Sequence, residues 1–189
     1  ICLLTRITNQ LKKMETQKTE AKKFVLNYGV LLGILSVLMG VIMYVTNAYL
    51  NPSWIFGTIS FLITVVVISL AIRAYKTENE GFLGLGEALK VGIGVAVIGG
   101  IIGAIWMFLL MNYIEPEYAS QLAEVQREAI METNPNMTEA QMETAMEFNA
   151  KFSSPYLLLA FSLIGSLFMG LVISLIAGLI MKNKNPYQA

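Results

Sequence analysis

Two ionisable residues, Glu87 and Lys90, head a long uncharged stretch and are the first candidates for chemistry. Their spacing of three would place both side chains on one face of a helix. Ionisable groups beside hydrocarbon often bind ions, protons or lipid headgroups. A structural role is the alternative, because a glutamate favours a helix amino terminus and a lysine extends its ammonium towards water. We expect the structural role, since both residues lie at the edge of the stretch.

A second polar pair, Asn27 and Tyr28, lies one turn into the first apolar stretch. Such a pair could line a polar site. We expect instead that it forms hydrogen bonds between helices or lies at the membrane interface. With Glu87 and Lys90, these residues make up the predicted polar or headgroup site.

The composition excludes most catalytic chemistry. The 189 residues include no histidine and one cysteine, so the usual acid–base residue at neutral pH and any internal disulfide are missing. No nucleophile motif, phosphate loop or zinc motif occurs. The basic residues lie beside apolar stretches, where anionic lipid accounts for them better than nucleic acid does. We predict no enzyme, no metal, no cofactor and no nucleic-acid partner.

A hydrophobic content of 56% predicts that the chain lies in a membrane. An apolar helix of about 20 residues crosses a hydrocarbon core of about 30 Å. Four stretches reach that length, and the predicted fold is an all-α, integral membrane four-helix bundle. The predicted spans cover about 24–48, 54–72, 88–114 and 155–181.

Small residues recur every four positions in three of the four spans. They let helix backbones approach closely in lipid, where van der Waals contact must replace the hydrophobic effect. The predicted packing residues are Gly29, Gly33, Gly99, Gly103, Ser162, Ser166, Gly170, Ser174 and Gly178. The series in the fourth span could also bind a second copy of the chain or a partner's helix.

One polar insert, 115–154, separates the third and fourth spans. Apolar residues recur at helical spacing on both sides of Asn134 and Pro135, which predicts a hairpin of two amphipathic helices. Thr138 and Gln141 form a capping-box pattern at the start of the second helix. We expect the hairpin to stand on the membrane surface.

The basic residues predict an orientation. All but two of the 13 lysines and arginines fall on one side of a four-span arrangement, and basic segments stay in the cytoplasm. Both terminal segments, 1–23 and 182–189, are therefore expected in the cytoplasm and the insert outside it. The insert carries eight glutamates against two basic residues, so a basic partner outside the membrane could bind it.

The first 13 residues differ from the rest. Ile1 is not an initiator residue, whereas Met14 begins a more usual amino-terminal sequence. We expect residues 1–13 to be upstream sequence outside the native protein. A genuine disordered basic tail is the alternative.

Three stretches carry a resemblance to a known family: 22–29 (KKFVLNYG), 81–92 (GFLGLGEALKVG) and 177–182 (AGLIMK). Through them, about Met14 to Pro186 resembles the DUF4199 family, small multi-span membrane proteins of Bacteroidota without an assigned activity. The resemblance implies the inner membrane of a diderm bacterium, with the insert in the periplasm. It carries over no catalytic residue.

These features together predict a non-enzymatic interaction or accessory subunit with membrane lipids around it. The first alternative is a small carrier or channel for a lipid or neutral solute, for which Ser162, Ser166 and Ser174 are the only sign. A lipid-modifying enzyme with Glu87 as base is the second. A water-accessible cavity between the spans would favour the carrier. A stoichiometric partner that is lost when Gly170 or Ser166 becomes leucine would favour the accessory subunit.

Overall fold

The computed structural model describes the backbone of residues 2–152 and 154–183 and the side chains of 21–149, 154 and 156–183. This part of the chain is built from α-helices, as predicted. The helices are α1 (Cys2–Val45), α2 (Trp54–Glu78), α3 (Leu85–Leu109), α4 (Tyr118–Thr133), α5 (Glu139–Phe152) and α6 (Pro155–Met181). A π-helical turn, Leu110–Ile114, extends α3.

Four helical segments are long and apolar enough to cross a membrane. They are Ala21–Val45, Trp54–Glu78, Leu85–Ile114 and Tyr156–Met181. The prediction of an all-α chain with four such helices is therefore confirmed. We call the end of the bundle with the α2–α3 loop the turn end, and the opposite end, beside α4 and α5, the hairpin end.

The start of α1 differs from the prediction. The helix begins at Cys2, well before the predicted start at 24, and continues through the segment expected to be a tail. Neither glycine nor proline occurs between Cys2 and Lys23, and lysine, glutamate and glutamine are good helix formers. The charges of this segment therefore end the hydrophobic stretch without ending the helix.

The end of α2 differs for the same reason. The predicted second span ends at 72, just before the charge of Arg73, but the helix continues to Glu78. It ends where Glu80 and Gly81 take positive φ angles of 54° and 82°. A left-handed pair of residues cannot continue a right-handed helix, and glycine adopts that conformation without steric cost.

The centre of the bundle is α3, which packs most extensively against α1 and α6, while α2 contacts all three. Glycines allow this close packing on both faces of α3. A Cβ atom at Gly33 would lie 2.6 Å from Cβ of Ile102, and one at Gly178 would lie 2.8 Å from Cβ of Ala88. The predicted small-residue series in α6 is thus occupied by α3 of the same chain.

The turn-end half of the bundle holds its main core. Ile68 and Ile72 of α2 meet Val91 and Val95 of α3, and all four side chains are fully buried. Leu83 of the α2–α3 loop is equally buried. Tight packing of branched side chains closes this half of the bundle.

The hairpin forms as predicted, with small differences. The α4 and α5 helices pack against each other, and the Thr138 amide donates a hydrogen bond to Oε1 of Gln141 at 3.0 Å, which confirms half of the capping box. Proline suits the first turn of a helix, which predicts that α4 begins at Pro116, but the helix begins two residues later at Tyr118. The apolar pattern of α4 predicts that Ala129 is buried, but Ala129 is exposed. In α5 the pattern includes Ala150, whose side chain lies outside the described residues.

Candidate functional site

The carboxylate of Glu87 caps α3. Its Oε2 accepts a hydrogen bond from the Gly84 amide at 2.7 Å, and its Oε1 accepts one from the Tyr75 hydroxyl at 3.3 Å. Amide groups at a helix amino terminus lack partners within the helix, and a side-chain oxygen satisfies them. This arrangement matches the structural role expected for Glu87.

The other three polar candidates lie apart from any enclosed site. Lys90 and Asn27 are exposed on the surface of the bundle, while Tyr28 is half-buried and packs against the core. None of the four predicted polar residues lines the cavity that the bundle contains.

A cavity of about 580 Å³ lies between α1, α3 and α6, in the hairpin-end half of the bundle. Its volume falls within the range of about 300–1,000 Å³ that is usual for small-molecule sites. The α2 helix contributes Thr64, and the segment Trp54 to Val66 contains no buried residue. This half of α2 is packed less tightly against the bundle than the half that begins at Val67, which leaves room beside α3.

The walls of the cavity owe their space to glycine. Five glycines from three helices line it, and at two of the five an added Cβ would meet no atom closer than 3.9 Å. They are Gly40, Gly99, Gly100, Gly103 and Gly165. Gly165 has open space around its missing Cβ, and at Gly103 the nearest atom lies at 3.9 Å, so side chains could enter the cavity from both positions.

Four serine and threonine hydroxyl groups contribute polar atoms to the walls. Each donates a hydrogen bond to a carbonyl of its own helix, at 2.8–2.9 Å. They belong to Ser36, Thr64, Ser162 and Ser166. Each hydroxyl hydrogen is already donated to a carbonyl, but the lone pairs of the hydroxyl oxygens remain available. The walls can therefore accept a hydrogen bond from a ligand. No charged side chain lines the cavity among the residues described.

Aromatic side chains close the hairpin end of the cavity. The rings of Tyr49 and Tyr118 stack with their centroids 6.0 Å apart, and both residues line the cavity. The Tyr49 hydroxyl donates a hydrogen bond to Oε1 of Gln121 at 3.0 Å. Nε2 of Gln121 in turn donates to Oε1 of Glu115 at 2.8 Å.

The two tyrosines stay protonated at neutral pH. Loss of contact with water raises the pKa of Tyr49, and the negative charge of Glu115 raises it further. Burial likewise raises the pKa of Tyr118, with a smaller contribution from Tyr49. The Tyr49 hydroxyl therefore remains a donor to Gln121 across the physiological range.

The sequence identified part of this site. Ser162 and Ser166, predicted as packing residues and as the sign of a carrier, line the cavity. Ser174, the third serine of that series, is fully buried against Gly92 and donates to the Gly170 carbonyl. Sequence reasoning missed Thr64 and Tyr49, because neither stands out from the hydroxyl and aromatic residues common near membranes.

Comparison with known proteins identifies a family but gives no activity. No curated protein and no solved structure matches the chain. One family model, described as a protein of unknown function (DUF4199), matches residues 27–183. Since that match covers most of the chain, the protein belongs to the DUF4199 family.

Proposed function

We propose that this protein binds a neutral, lipid-like molecule in the cavity between its spans and acts as a small carrier for it. The observation that supports the proposal is the cavity of about 580 Å³, with its glycine walls and aromatic end. A cavity between the spans is the feature that separates a carrier from an accessory subunit.

The chemistry of the walls indicates a neutral ligand. A charged group would lose its hydration in the cavity and meet only hydroxyl groups, which is costly. An apolar body with one weakly polar end fits better, because the body can lie along the glycines and a hydroxyl group can donate to Ser162 or Ser166. Membrane lipids surround the chain and include molecules of this kind.

A carrier fits better than a channel. The turn-end half of the bundle is filled by Ile68, Ile72, Val91 and Val95, which are fully buried, so an open passage through the bundle would have to cross this core. The ligand would enter and leave in the hairpin-end half, beside the loosely packed part of α2. We propose no catalytic step, because Glu87 is engaged in capping α3.

The proposed location is the inner membrane of a bacterium of the Bacteroidota, with both termini in the cytoplasm and the hairpin in the periplasm. The distribution of lysine and arginine along the chain supports this orientation. The cavity would then open in the periplasmic half of the membrane. A cysteine introduced at the exposed Glu143, in a Cys2→Ser background, should react with a membrane-impermeant thiol reagent added to spheroplasts.

A second candidate function, an accessory subunit, is favoured by the acidic hairpin. All six glutamates of α4 and α5 are exposed: Glu124, Glu128, Glu132, Glu139, Glu143 and Glu147. This surface would attract a basic periplasmic partner. A second copy or a partner's helix would have to bind another face of α6, since α3 occupies the small-residue series.

Photolabelling with a neutral diazirine lipid tests the carrier. The purified chain should be labelled on α3 and α6 peptides that line the cavity. Gly165→Leu, which adds a side chain at an open position of the lining, should reduce that labelling by about tenfold, equivalent to about 1.4 kcal/mol of binding.

The matched control is Gly57→Leu, which also adds a leucine where nothing lies within 4 Å but lies outside the cavity lining. Labelling should survive in this variant. Labelling that is equal in both variants, or confined to the exposed outer faces of the helices, would leave the carrier without support.

A further inference from the structure

A second cavity lies at the turn end of the bundle and differs from the first in its chemistry. Its volume is about 460 Å³, and its lining comprises Arg73, Lys76, Thr77, Gly81 and Met181. Two of these five residues are cationic, and both come from the last turns of α2. Basic side chains beside a hydroxyl group are typical of sites for phosphate groups.

The continuation of α2 creates this site. Hydrophobic sequence stops at Ile72, but the helix runs on to Glu78 and carries Arg73 and Lys76 beyond the apolar stretch. Spacing of three residues puts both cations on one face of the helix. At this height beside a bilayer, they would lie at the level of the lipid phosphates.

Both cations are available to a ligand. Neither Arg73 nor Lys76 forms an ion pair with any residue that the structure describes, and Arg73 is exposed. The helix carboxyl terminus stabilises their charge but leaves their hydrogen-bond donors unused. A guanidinium group can bind two phosphate oxygens at once, and an ammonium group can bind a third.

The remaining residues leave space for the phosphate. Gly81, with a φ of 82°, has nothing within 4 Å of its missing Cβ. Met181 ends α6 and supplies an apolar side to the cavity, and the exposed Lys182 follows it. Glu78 ends α2 and Glu80 lies in the loop that follows; both are exposed, so they limit the positive potential outside the cavity.

We propose that this cavity binds a phosphate group through Arg73 and Lys76, and that the group belongs to the headgroup of an anionic phospholipid. The apolar side at Met181 and the position at the end of α2 favour a lipid over a soluble phosphate. The site lies at the opposite end of the bundle from the proposed carrier cavity and does not depend on that function.

The test measures lipid preference of the full chain in nanodiscs or detergent. Native mass spectrometry should show that phosphatidylglycerol stays bound about tenfold more than phosphatidylcholine, equivalent to about 1.4 kcal/mol of binding. The double variant Arg73→Gln/Lys76→Gln should lose this preference. A single Lys76→Gln variant, expected to lose part of it, serves if the double variant is poorly folded.

The matched control is Lys22→Gln/Lys23→Gln, which removes two exposed cations of α1 at the same end of the bundle and outside the cavity. This variant should keep the preference. Equal loss of the lipid preference in both double variants would overturn the proposal, because general surface charge would then explain the binding. An unchanged preference in both variants would overturn it as well.

Inorganic phosphate distinguishes the source of the group. Millimolar phosphate should not displace phosphatidylglycerol from the unaltered chain. Displacement that depends on Arg73 and Lys76 would support the same phosphate site but assign it to a soluble ligand. Displacement that persists in the double variant would count against the site.

Discussion

The hydroxyl group of Tyr49 donates a hydrogen bond to Oε1 of Gln121, a residue 72 positions further along the chain, at 3.0 Å. Tyr49 belongs to the loop between α1 and α2, whereas Gln121 belongs to the first helix of the hairpin. The bond and the stacked ring of Tyr118 fix the hairpin over the end of the cavity. Hairpin position and access to the cavity should therefore be coupled.

Removal of this bond should loosen the hairpin. We expect Tyr49→Phe to broaden the distance distribution between spin labels at Asn51→Cys and Glu128→Cys, in a Cys2→Ser background, because a hydrogen bond contributes about 1 kcal/mol. Double electron–electron resonance measures that distribution. Tyr156→Phe, at a tyrosine that is 78% exposed, is the control and should change nothing. Equal widths in all three proteins would show that the bond does not hold the hairpin.

The width of this distance distribution should also depend on pH. The pKa values of Tyr49 and Tyr118 are raised above the usual value of about 10, so the folded state favours the protonated phenols. Their contribution is complete below pH 10 and is lost as pH rises through the higher folded values. The same label pair should report an unchanged hairpin between about pH 7 and 9 and a broader distribution near pH 11. The Tyr49→Phe protein should broaden less over that step.

The small-residue series of α6 should contribute to the stability of the single chain through its packing against α3. A side chain at Gly170 would collide with Cβ of Ala96, which cannot move without its backbone. Gly170→Leu should therefore destabilise the chain by about 1–3 kcal/mol or more, the usual cost of overpacking. Thermal unfolding in detergent measures the loss. Gly165→Leu, five residues earlier on the same helix and with nothing nearby, should unfold like the unaltered chain.

The instability expected of Gly170→Leu changes how the loss of a copurifying partner from this variant is interpreted. Loss of a copurifying protein from Gly170→Leu would not identify a partner's helix, since α3 of the same chain occupies that position. A Gly170→Leu chain as stable as the Gly165→Leu chain would mean that α3 and α6 do not pack as the structure has them.

The spans could be predicted from the sequence because their signal is local. Length without charge and small residues at a spacing of four depend only on neighbours along the chain. Helix ends were harder to predict, since Arg73 ends the hydrophobic stretch while the backbone continues as a helix to Glu78. The second cavity, lined by Arg73 and Lys76, depends on that continuation. Hydropathy alone does not predict it, because hydropathy ends the span at Ile72.

The carrier cavity depends on tertiary structure. Ser162, Ser166 and Ser174 lie on one series at equal spacing, yet only the first two line the cavity, whereas Ser174 is fully buried against Gly92 of α3. Sequence periodicity gives the face of a helix that packs. It does not give the depth at which two helices separate.

The role of Glu87 can be decided by separating stability from ligand binding. Glu87→Ala removes both hydrogen bonds of its carboxylate, so we expect a loss of about 1 kcal/mol of stability, as for other helix caps. Labelling of the carrier cavity by the neutral diazirine lipid should not change, because Glu87 does not line it. Glu78→Ala, at an exposed glutamate of the same end, should leave both measurements unaltered. An unaltered melting temperature in Glu87→Ala, together with the disappearance of a lipid-modifying activity, would instead assign this carboxylate to chemistry.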